Sequence, residues 1–497
     1  MEQFEMIAKT FQGLEEVLAR ELEELGATDI EIGRRAVSFR GDKEMMYRAN
    51  FCLRTAVRVL KPIAHFEAGD ADAVYDAVKA IDWTNYLDLD TSFAVDAVVY
   101  SQTFRHSKFL SYKVKDAIAD FFRERTGKRP NISVTSPDIR LNIHVAETDC
   151  TLSLDSSGDS LHLRGYRVAT CAAPLNEVLA AGLVKLSGWD MQSTLIDPFC
   201  GSGTIAIEAA LMARNIYPGI FRKEFGFEKW KDFDRDLLDR IYNDDSAERP
   251  FDHKIYASDI NLPTLEGAMA NAKSAGVSDI IEFTQKDFRQ FEQPEMPATI
   301  ITNPPYGARL TPPDLLGLYK TIGERLKNAF KGGEAWVISS RYEIFDNIGL
   351  RPSVKLPLYN GSIECEFRKY VVFDGKMQDF RKEGGIVKTD EDRRRMREKK
   401  HFAPRHREEQ SREDFDDAFE GDAEEARRFA RLQSKHEEFE RTYRRRNETR
   451  QEGGRERSER RSGFGGDRRN GHFGQKGGRR KPFGGGRRRN FEDEAQD

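Results

Sequence analysis

Cysteine is scarce: the 497 residues hold five, Cys52, Cys150, Cys171, Cys200 and Cys365. They are scattered and odd in number, and no C-x-x-C pair occurs, so their spacing suggests neither zinc nor redox chemistry. Reduced thiols in an intracellular chain are the expected state. Long apolar runs are missing as well, and none approaches the roughly 20 residues of a membrane-spanning helix. The first residues, MEQFEMIAKT, lack the basic start and apolar core of a secretory signal. The expectation is a cytoplasmic protein without membrane contact. Neither sign of charge dominates. The 80 Lys and Arg stand against 84 Asp and Glu, a net −4 that hides blocks of opposite sign. The length exceeds one typical domain and suffices for two or three.

One stretch organises the remainder. Residues 195–204 read LIDPFCGSGT. Leu195 and Ile196 read as the end of a buried parallel strand, Asp197 and Pro198 stop it, and Gly201, Ser202 and Gly203 form a tight turn. A helical pattern follows through Ile205, Ala206, Ala209 and Ala210. Strand, glycine turn and helix N-terminus are the layout of a nucleotide-type cofactor site in a doubly wound sheet. Glycine lets backbone approach a ligand, and the unpaired N–H groups of the helix start attract negative charge. The spacing Gly201, Gly203, Ala206 fits G-x-G-x-x-A, which plain strand-to-helix turns also match. A second stretch narrows the choice: residues 302–307 read TNPPYG, directly after the apolar run 298–301.

Together the two motifs resemble the amino-methyltransferase family that uses S-adenosylmethionine. The resemblance implies that Asp197, Pro198, Gly201, Gly203 and Thr204 belong to the cofactor site. It implies that Asn303, Pro304, Pro305 and Tyr306 hold an exocyclic amino group of a nucleobase. An aromatic NH2 is a poor nucleophile because its lone pair is delocalised into the ring. Acceptors placed at its hydrogens favour the tetrahedral nitrogen of the transition state. The Asn303 side-chain oxygen and the Pro304 carbonyl suit this task. The two prolines stiffen the turn and offer no competing N–H. Tyr306 can stack on the base, a contact worth roughly 1–3 kcal/mol. The plainer alternative is a rigid proline turn with a packed tyrosine.

Residues 1–65 read as an α+β unit. A short strand at 4–8 leads to an amphipathic helix with Leu14, Val17, Leu18, Leu22 and Leu25 on one face and Gly26 as its stop. A strand at 36–40 and a helix over 44–57 follow. This unit resembles a small ferredoxin-like fold. Residues 66–166 form a second unit: a helix at 72–81, a strand at 93–99 and a helix at 113–125. In the strand 139–145, Ile139, Leu141, Ile143 and Val145 alternate with Arg140, Asn142 and His144. The segments VKDAIADFFRERTGKR (114–129) and SPDIR (136–140), with His144, resemble the THUMP domain, an RNA-binding module of tRNA and rRNA modification enzymes. Arg105, Lys108, Lys113, Lys115, Lys128, Arg129 and Arg140 cluster here and suit phosphates. The alternative is a solvated charged helix face.

Residues 161–174 (LHLRGYRVATCAAP) resemble the segment before the catalytic domain of bacterial 23S rRNA guanine-N2 methyltransferases. Leu163 stands where that family usually has Lys, and Asn176 where it usually has Arg. The resemblance puts Pro174 and Asn176 near the cofactor carboxylate. Residues 167–374 are expected to form the Rossmann-like catalytic domain, with helices at 178–186 and 262–275. Asp259 follows the strand 254–257, where a carboxylate can accept both ribose hydroxyls or cap a helix instead. The strand 280–284 precedes Asp287 and Phe288. In the family an Asp here bonds the adenine amino group, with Phe288 beside it. Strands at 335–338, 353–358 and 364–373 end the domain, the last as part of the family's antiparallel hairpin. A long insertion, 214–250, carries Phe225, Phe227 and Trp230 and resembles one placed near the active-site rim.

After Asp374 charge dominates, and residues 375–497 are expected to be a disordered tail, with transient helix at 432–446. From Gln451 the chain is rich in Gly and Arg, with 13 Lys and Arg against 8 Asp and Glu and interleaved Phe464, Phe473, Phe483 and Phe491. This resembles the Gly-Arg-rich tails of RNA-binding proteins; a passive solubiliser is the alternative. No second glycine turn or Pro-Pro-Tyr motif occurs, so the second methyltransferase domain of longer family members is not expected. The resulting expectation is an α/β fold, a Rossmann-like methyltransferase domain preceded by a ferredoxin-like and THUMP region. The cofactor is S-adenosylmethionine, with no metal, and the target is guanine N2 in 23S rRNA or a pre-ribosomal particle. Adenine-N6 DNA methylation and a non-catalytic role in RNA binding or ribosome assembly are the rivals. The THUMP-like half argues against the first, and intact Asp197, Gly201, Asp259, Asn303 and Tyr306 against the second. Oligomeric state is not legible.

Overall fold

The computed structural model describes residues 2–395 apart from 172–173, 293–296, 307–313, 376 and 383. The first of its two sheets has eight strands: β1 Phe4–Lys9, β2 Thr28–Gly33, β3 Ala36–Gly41, β4 Arg58–Glu67, β5 Ser92–Tyr100, β6 Asn131–Ile132, β7 Ile139–Ala146 and β8 Asp149–Asp155. Their spatial order is β2-β3-β1-β4-β8-β7-β5-β6. Helices α1 (Glu15–Leu25), α2 (Lys43–Cys52), α3 (Ala71–Lys79) and α4 (Ser107–Thr126) pack on it through Leu18, Leu22, Met46, Val74, Val114 and Ile118. In β7 the four apolar residues are buried and Arg140, Asn142 and His144 are half-buried. That alternation belongs to a sheet with one covered face. Gly26 closes α1 in the left-handed region, at φ 88°.

The sequence pattern misses β2, β4, β6 and β8, and β4 matters most. It crosses the expected boundary at 65/66, pairing with β1 on one side and β8 on the other. The ferredoxin-like and THUMP-like segments therefore share one sheet and one core. Helix α2 stops at Cys52 rather than at 57. Leu53 is extended, at φ −65° and ψ 128°, and the chain turns from there into β4.

The second sheet has seven strands: β9 Thr194–Asp197, β10 Ile255–Asp259, β11 Ile281–Gln285, β12 Ala298–Thr302, β13 Glu334–Ser339, β14 Val354–Asn360 and β15 Ile363–Val371. The order is β11-β10-β9-β12-β13-β15-β14. The first five are parallel, and β14 and β15 close the edge as an antiparallel hairpin. The chain starts at β9, steps outward to β10 and β11, then returns to place β12 on the other side of β9. Such a reversal opens a crevice at the C-terminal strand ends. Helices α5 (Glu177–Ser187), α6 (Thr204–Ala213), α8 (Leu262–Ser274) and α9 (Leu315–Ala329) accompany this sheet. All four β9 residues and every residue of α6 are buried, the pattern of a sheet covered on both faces.

The insertion 214–250, with α7 (Arg235–Tyr242), does not border the crevice: none of its residues lines it. Phe225, Phe227, Trp230, Leu237 and Leu238 are buried in the core of the first sheet instead. Phe227 stacks on Tyr47 of α2, ring centroids 4.0 Å apart, and on Phe225 at 5.2 Å. The Tyr47 hydroxyl accepts from the Asp234 N–H at 2.9 Å. Burying one such ring contributes about 1.5–3 kcal/mol, so the insertion straps the catalytic domain to the first sheet. Helix α1 makes a second tie. Its Leu18 and Leu22 belong to the first core, Leu14 and Val17 to the second. A Cβ on Gly182 of α5 would lie 2.6 Å from Leu14 Cδ2, so Leu14 would have to shift to admit one.

The expected disorder begins too early. Residues 377–382 (α10) and 390–395 are helical. Asp392 and Arg395 are buried. Lys369 of β15 pairs with Asp392 at 3.3 Å and Glu334 at 2.9 Å, and Arg395 donates to the Leu186 carbonyl at 2.7 Å. A charge run reads as solvated until its partners are known. The Gly/Arg-rich stretch and the helix expected at 432–446 lie outside the described residues.

Candidate active site

The C-terminal ends of β9, β10 and β12 open on a crevice of about 1100 Å³. It brings together Asp197, Pro198, Gly201, Thr204, Asp259, Asp287, Phe288, Asn303, Pro304, Pro305 and Tyr306. Gly203, Pro174 and Asn176 do not line it. The two glycines of the turn have different tasks. Gly201 has φ +54°, and a Cβ there would meet nothing within 4 Å, so this edge of the turn is open to a ligand. Gly203 has φ +82°, and its Cβ would lie 3.0 Å from the Ala268 Cβ, so its role is the packing of the turn on α8. Asn176 caps α5, its Oδ1 accepting from Val178 N at 2.9 Å and Leu179 N at 3.3 Å.

Three carboxylates stand at strand ends. Asp259 Oδ2 accepts from Gly201 N at 3.0 Å, and its Oδ1 from Asn261 N at 2.8 Å. The cap of α8 is Asn261, not Asp259. Each Asp259 oxygen keeps a lone pair for a further donor. Asp287 caps the short 3-10 turn 288–290, and the Arg289 guanidinium holds its carboxyl below the usual range. Asp197 is 1% exposed. Its Oδ1 accepts from Thr302 Oγ1 at 3.2 Å and Phe199 N at 3.4 Å, and burial pushes the carboxyl up to about 7.

Two acceptors in this lining, Asp197 Oδ2 and Asn303 Oδ1, are buried with no hydrogen-bond partner among the described residues. Buried polar atoms are nearly always bonded, and an exception calls for an explanation. Here a ligand rich in donors explains both. The ammonium, ribose hydroxyls and adenine amino group of S-adenosylmethionine are donors that fit these acceptors. Aromatic faces flank it: Phe199 lies 5.2 Å from Phe288, and the Tyr306 hydroxyl accepts from Asn360 Nδ2 at 3.1 Å.

Among the residues that escaped sequence reasoning, two join distant elements at the site. Arg167 donates to Glu177 Oε1 at 2.7 Å, Ser202 Oγ at 2.9 Å, Thr204 Oγ1 at 2.9 Å and the Leu175 carbonyl at 3.3 Å. One guanidinium thereby joins the linker, the start of α5 and the glycine turn. The GYR motif was a visible signal, but nothing local named its partners. Asn360 reaches the crevice from the hairpin, and no motif marked it.

A parallel sheet closed by an antiparallel hairpin, with a crevice at its switch point that holds unmatched acceptors, defines a Rossmann-like S-adenosylmethionine-dependent methyltransferase. Family comparison agrees. A model described as an RMKL-like methyltransferase domain matches residues 164–369, a THUMP domain model residues 68–155, and an RlmL ferredoxin-like domain model residues 5–60. A protein of Synechocystis sp. named as an RNA methyltransferase candidate is 37% identical over 369 residues, 74% of this chain and 96% of that one. The ribosomal RNA large subunit methyltransferase K/L of Photobacterium profundum is 38% identical over 380 residues, 75% of this chain and 53% of that protein. The chain thus spans about half the length of that K/L enzyme. Among solved structures, a methylase candidate from Clostridium difficile 630 has a TM-score of 0.69 at 32% identity, over 76% of this chain and all of that one. A methyltransferase candidate complexed with S-adenosylhomocysteine has a TM-score of 0.68 at 28% identity, over 76% and 100% of the two chains. The chain belongs to this family of THUMP-containing, S-adenosylmethionine-dependent RNA methyltransferases.

Proposed function

We propose that this protein methylates the exocyclic N2 of a guanine in 23S ribosomal RNA. The observation that carries the reading is Asn303 Oδ1, buried in the crevice beside Tyr306 with no partner of its own among the described residues. The cofactor, when bound, supplies an electrophilic methyl group. Asp259 holds its ribose, Asp287 and Phe288 its adenine, and Asp197, Pro198, Gly201 and Thr204 the remainder. The target guanine is turned out of its helix, at a cost of about a few kcal/mol unless already unpaired. Asn303 Oδ1 and the Pro304 carbonyl accept its amino hydrogens and favour a tetrahedral nitrogen, while Tyr306 stacks on the ring. Holding nitrogen and methyl group together supplies much of the acceleration. The product nitrogen readily loses its proton, so no strong general base is required.

The ribosomal target follows the names of the K/L relatives, and a cytoplasmic location goes with it. Among the described residues no helix is long and apolar enough to cross a membrane. Adenine N6 remains a second reading, because the Asn-Pro-Pro-Tyr turn grips any exocyclic amino group. A solved structure from Listeria monocytogenes described as a predicted N6-adenine-specific DNA methylase has a TM-score of 0.67 at 31% identity. Mass mapping of 23S rRNA nucleosides from a deletion strain, with methylation assays on rRNA, tRNA and duplex DNA, decides between them. Loss of one N2-methylguanine is the expected result. An unchanged rRNA with methylated DNA adenine sinks the proposal.

A further inference from the structure

We infer that the turn between β2 and β3, with Arg34 set over Tyr100, docks the single-stranded RNA that flanks the target nucleotide. The inference rests on the RNA reading above and adds the path by which the substrate reaches the crevice.

Arg34 is exposed, and its guanidinium lies 5.8 Å from the centroid of the Tyr100 ring, itself 41% exposed. Arg34 has no acidic partner among the described residues. A cation over an accessible aromatic face provides both things that single strands need, neutralisation of a phosphate and a stacking surface.

The turn that carries Arg34 is linked to the Tyr306 end of the crevice through the loop before α1 and the hairpin. The Arg35 carbonyl accepts from Thr10 N at 3.0 Å. Three residues on, a Cβ at Gly13 would lie 2.8 Å from both the Pro357 carbonyl and Leu358 Cδ2 of β14. The same strand ends in Asn360, which donates to the Tyr306 hydroxyl at 3.1 Å. Three contacts joined by short stretches of chain therefore link the β2–β3 turn, through the loop before α1, to the hairpin and Tyr306.

The basic cluster expected to bind RNA is partly neutralised by its own acids. Lys113 pairs with Asp72 at 2.6 Å, Lys115 with Asp116 at 3.1 Å and Arg140 with Asp96 at 3.0 Å. Arg34 is not so tied, and it sits on the ferredoxin-like segment rather than on the THUMP segment.

The test is a titration of two rRNA fragments with the full chain at several salt concentrations. One fragment carries the target nucleotide with single-stranded flanks, the other is trimmed to the target stem. Arg34→Glu should weaken the flanked fragment about tenfold and lower its salt slope by roughly 0.7, the value for one phosphate on a single strand. It should leave the trimmed fragment and cofactor affinity by calorimetry unchanged, and Arg34→Lys should retain most of the binding. Equal loss on both fragments, or no loss while Lys128→Glu with Arg129→Glu abolishes binding, overturns the inference and leaves the RNA reading standing. If the unaltered protein neither binds nor methylates either fragment, the RNA reading falls and takes this inference with it.

Discussion

The crevice and the junction between the two sheets both bury polar groups, and they treat them in opposite ways. In the crevice the unmatched atoms are acceptors, Asp197 Oδ2 and Asn303 Oδ1. At the junction, Arg164 is 2% exposed, donates to the Leu161 carbonyl at 2.8 Å and to the Arg54 carbonyl, and reaches Glu208 Oε1 at 3.4 Å. Glu208 also accepts from the Tyr166 hydroxyl at 3.0 Å, and Arg54 donates to the Ile216 carbonyl at 2.8 Å. What is left over there is matched in kind, one acceptor in Glu208 Oε2 and one donor in Arg54 Nη1. Between Arg164 and Tyr166, Gly165 has φ +110°, and a Cβ would lie 2.1 Å from the Phe221 carbonyl, so no other residue fits. The junction meets most of its polar groups within the chain, leaves over an acceptor and a donor of opposite charge, and thereby sets the domains against each other. The crevice leaves its acceptors for a ligand to complete.

If that contrast holds, Glu208→Ala should have the largest effect. It strands Arg164 and Arg54 as buried cations without their anion, which costs about 3–5 kcal/mol. Denaturant unfolding measures it, and an unchanged midpoint would show that the junction is not a matched network.

Asn303→Ala should act on rate instead. Loss of one preorganised acceptor should lower kcat about 10²–10³-fold, with cofactor affinity and stability retained. Near-normal turnover would remove the basis for the amino-group assignment.

Asp197→Asn tests the crevice through pH. The folded carboxyl titrates at about 7, above its unfolded value, so the unfolded chain binds fewer protons between these values. Stability of the unaltered apoprotein should therefore fall as pH rises from about 4 to 7 and level off above. The Asn variant should lose this slope and be the more stable form above pH 7, by an amount of the order of 4 kcal/mol. Parallel stability curves for the two proteins would mean that Asp197 is ionised without difficulty.

Asp259→Ala should cost cofactor affinity about 1.5–3 kcal/mol, the worth of a charge-assisted hydrogen bond. Calorimetry with unchanged affinity would refute a ribose contact. Smallest of all, Asn176→Ala should cost about 1 kcal/mol of stability as a lost helix cap. Cofactor affinity should not move, and a marked drop in it would return Asn176 to the binding site.

The legible parts share a cause. Residues 195–204 and 302–306 carry their geometry in consecutive residues, so strand, turn and crevice position follow from local chemistry. Ile139, Leu141, Ile143 and Val145 were readable because one face of the first sheet is covered. The reading failed where burial depended on distant partners. Phe225, Phe227 and Trp230 looked like rim aromatics because nothing in 214–250 says which core receives them. Asp392 and Arg395 looked like part of a solvated charge run because Lys369 and Leu186 are far along the chain. Asn176, expected near the cofactor carboxylate, caps α5 next to Leu175 of the crevice lining, a role its spacing to Val178 and Leu179 also suited.

By itself the sequence determined much of the crevice: which acceptors it contains and that its turns have glycine and proline where backbone must bend, while the methyl donor was legible through the resemblance of its two motifs to a known family. Those properties belong to residue types and to neighbours a few positions away. The tertiary structure decided how the halves are joined and which candidates meet. Gly201 bonds Asp259 across 58 residues, Asn360 bonds Tyr306 across 54, and Arg164 reaches Glu208 across 44. No local pattern encodes such pairs, because a hydrogen bond or a buried ion pair depends on where the fold brings two side chains, not on how far apart they stand in the chain.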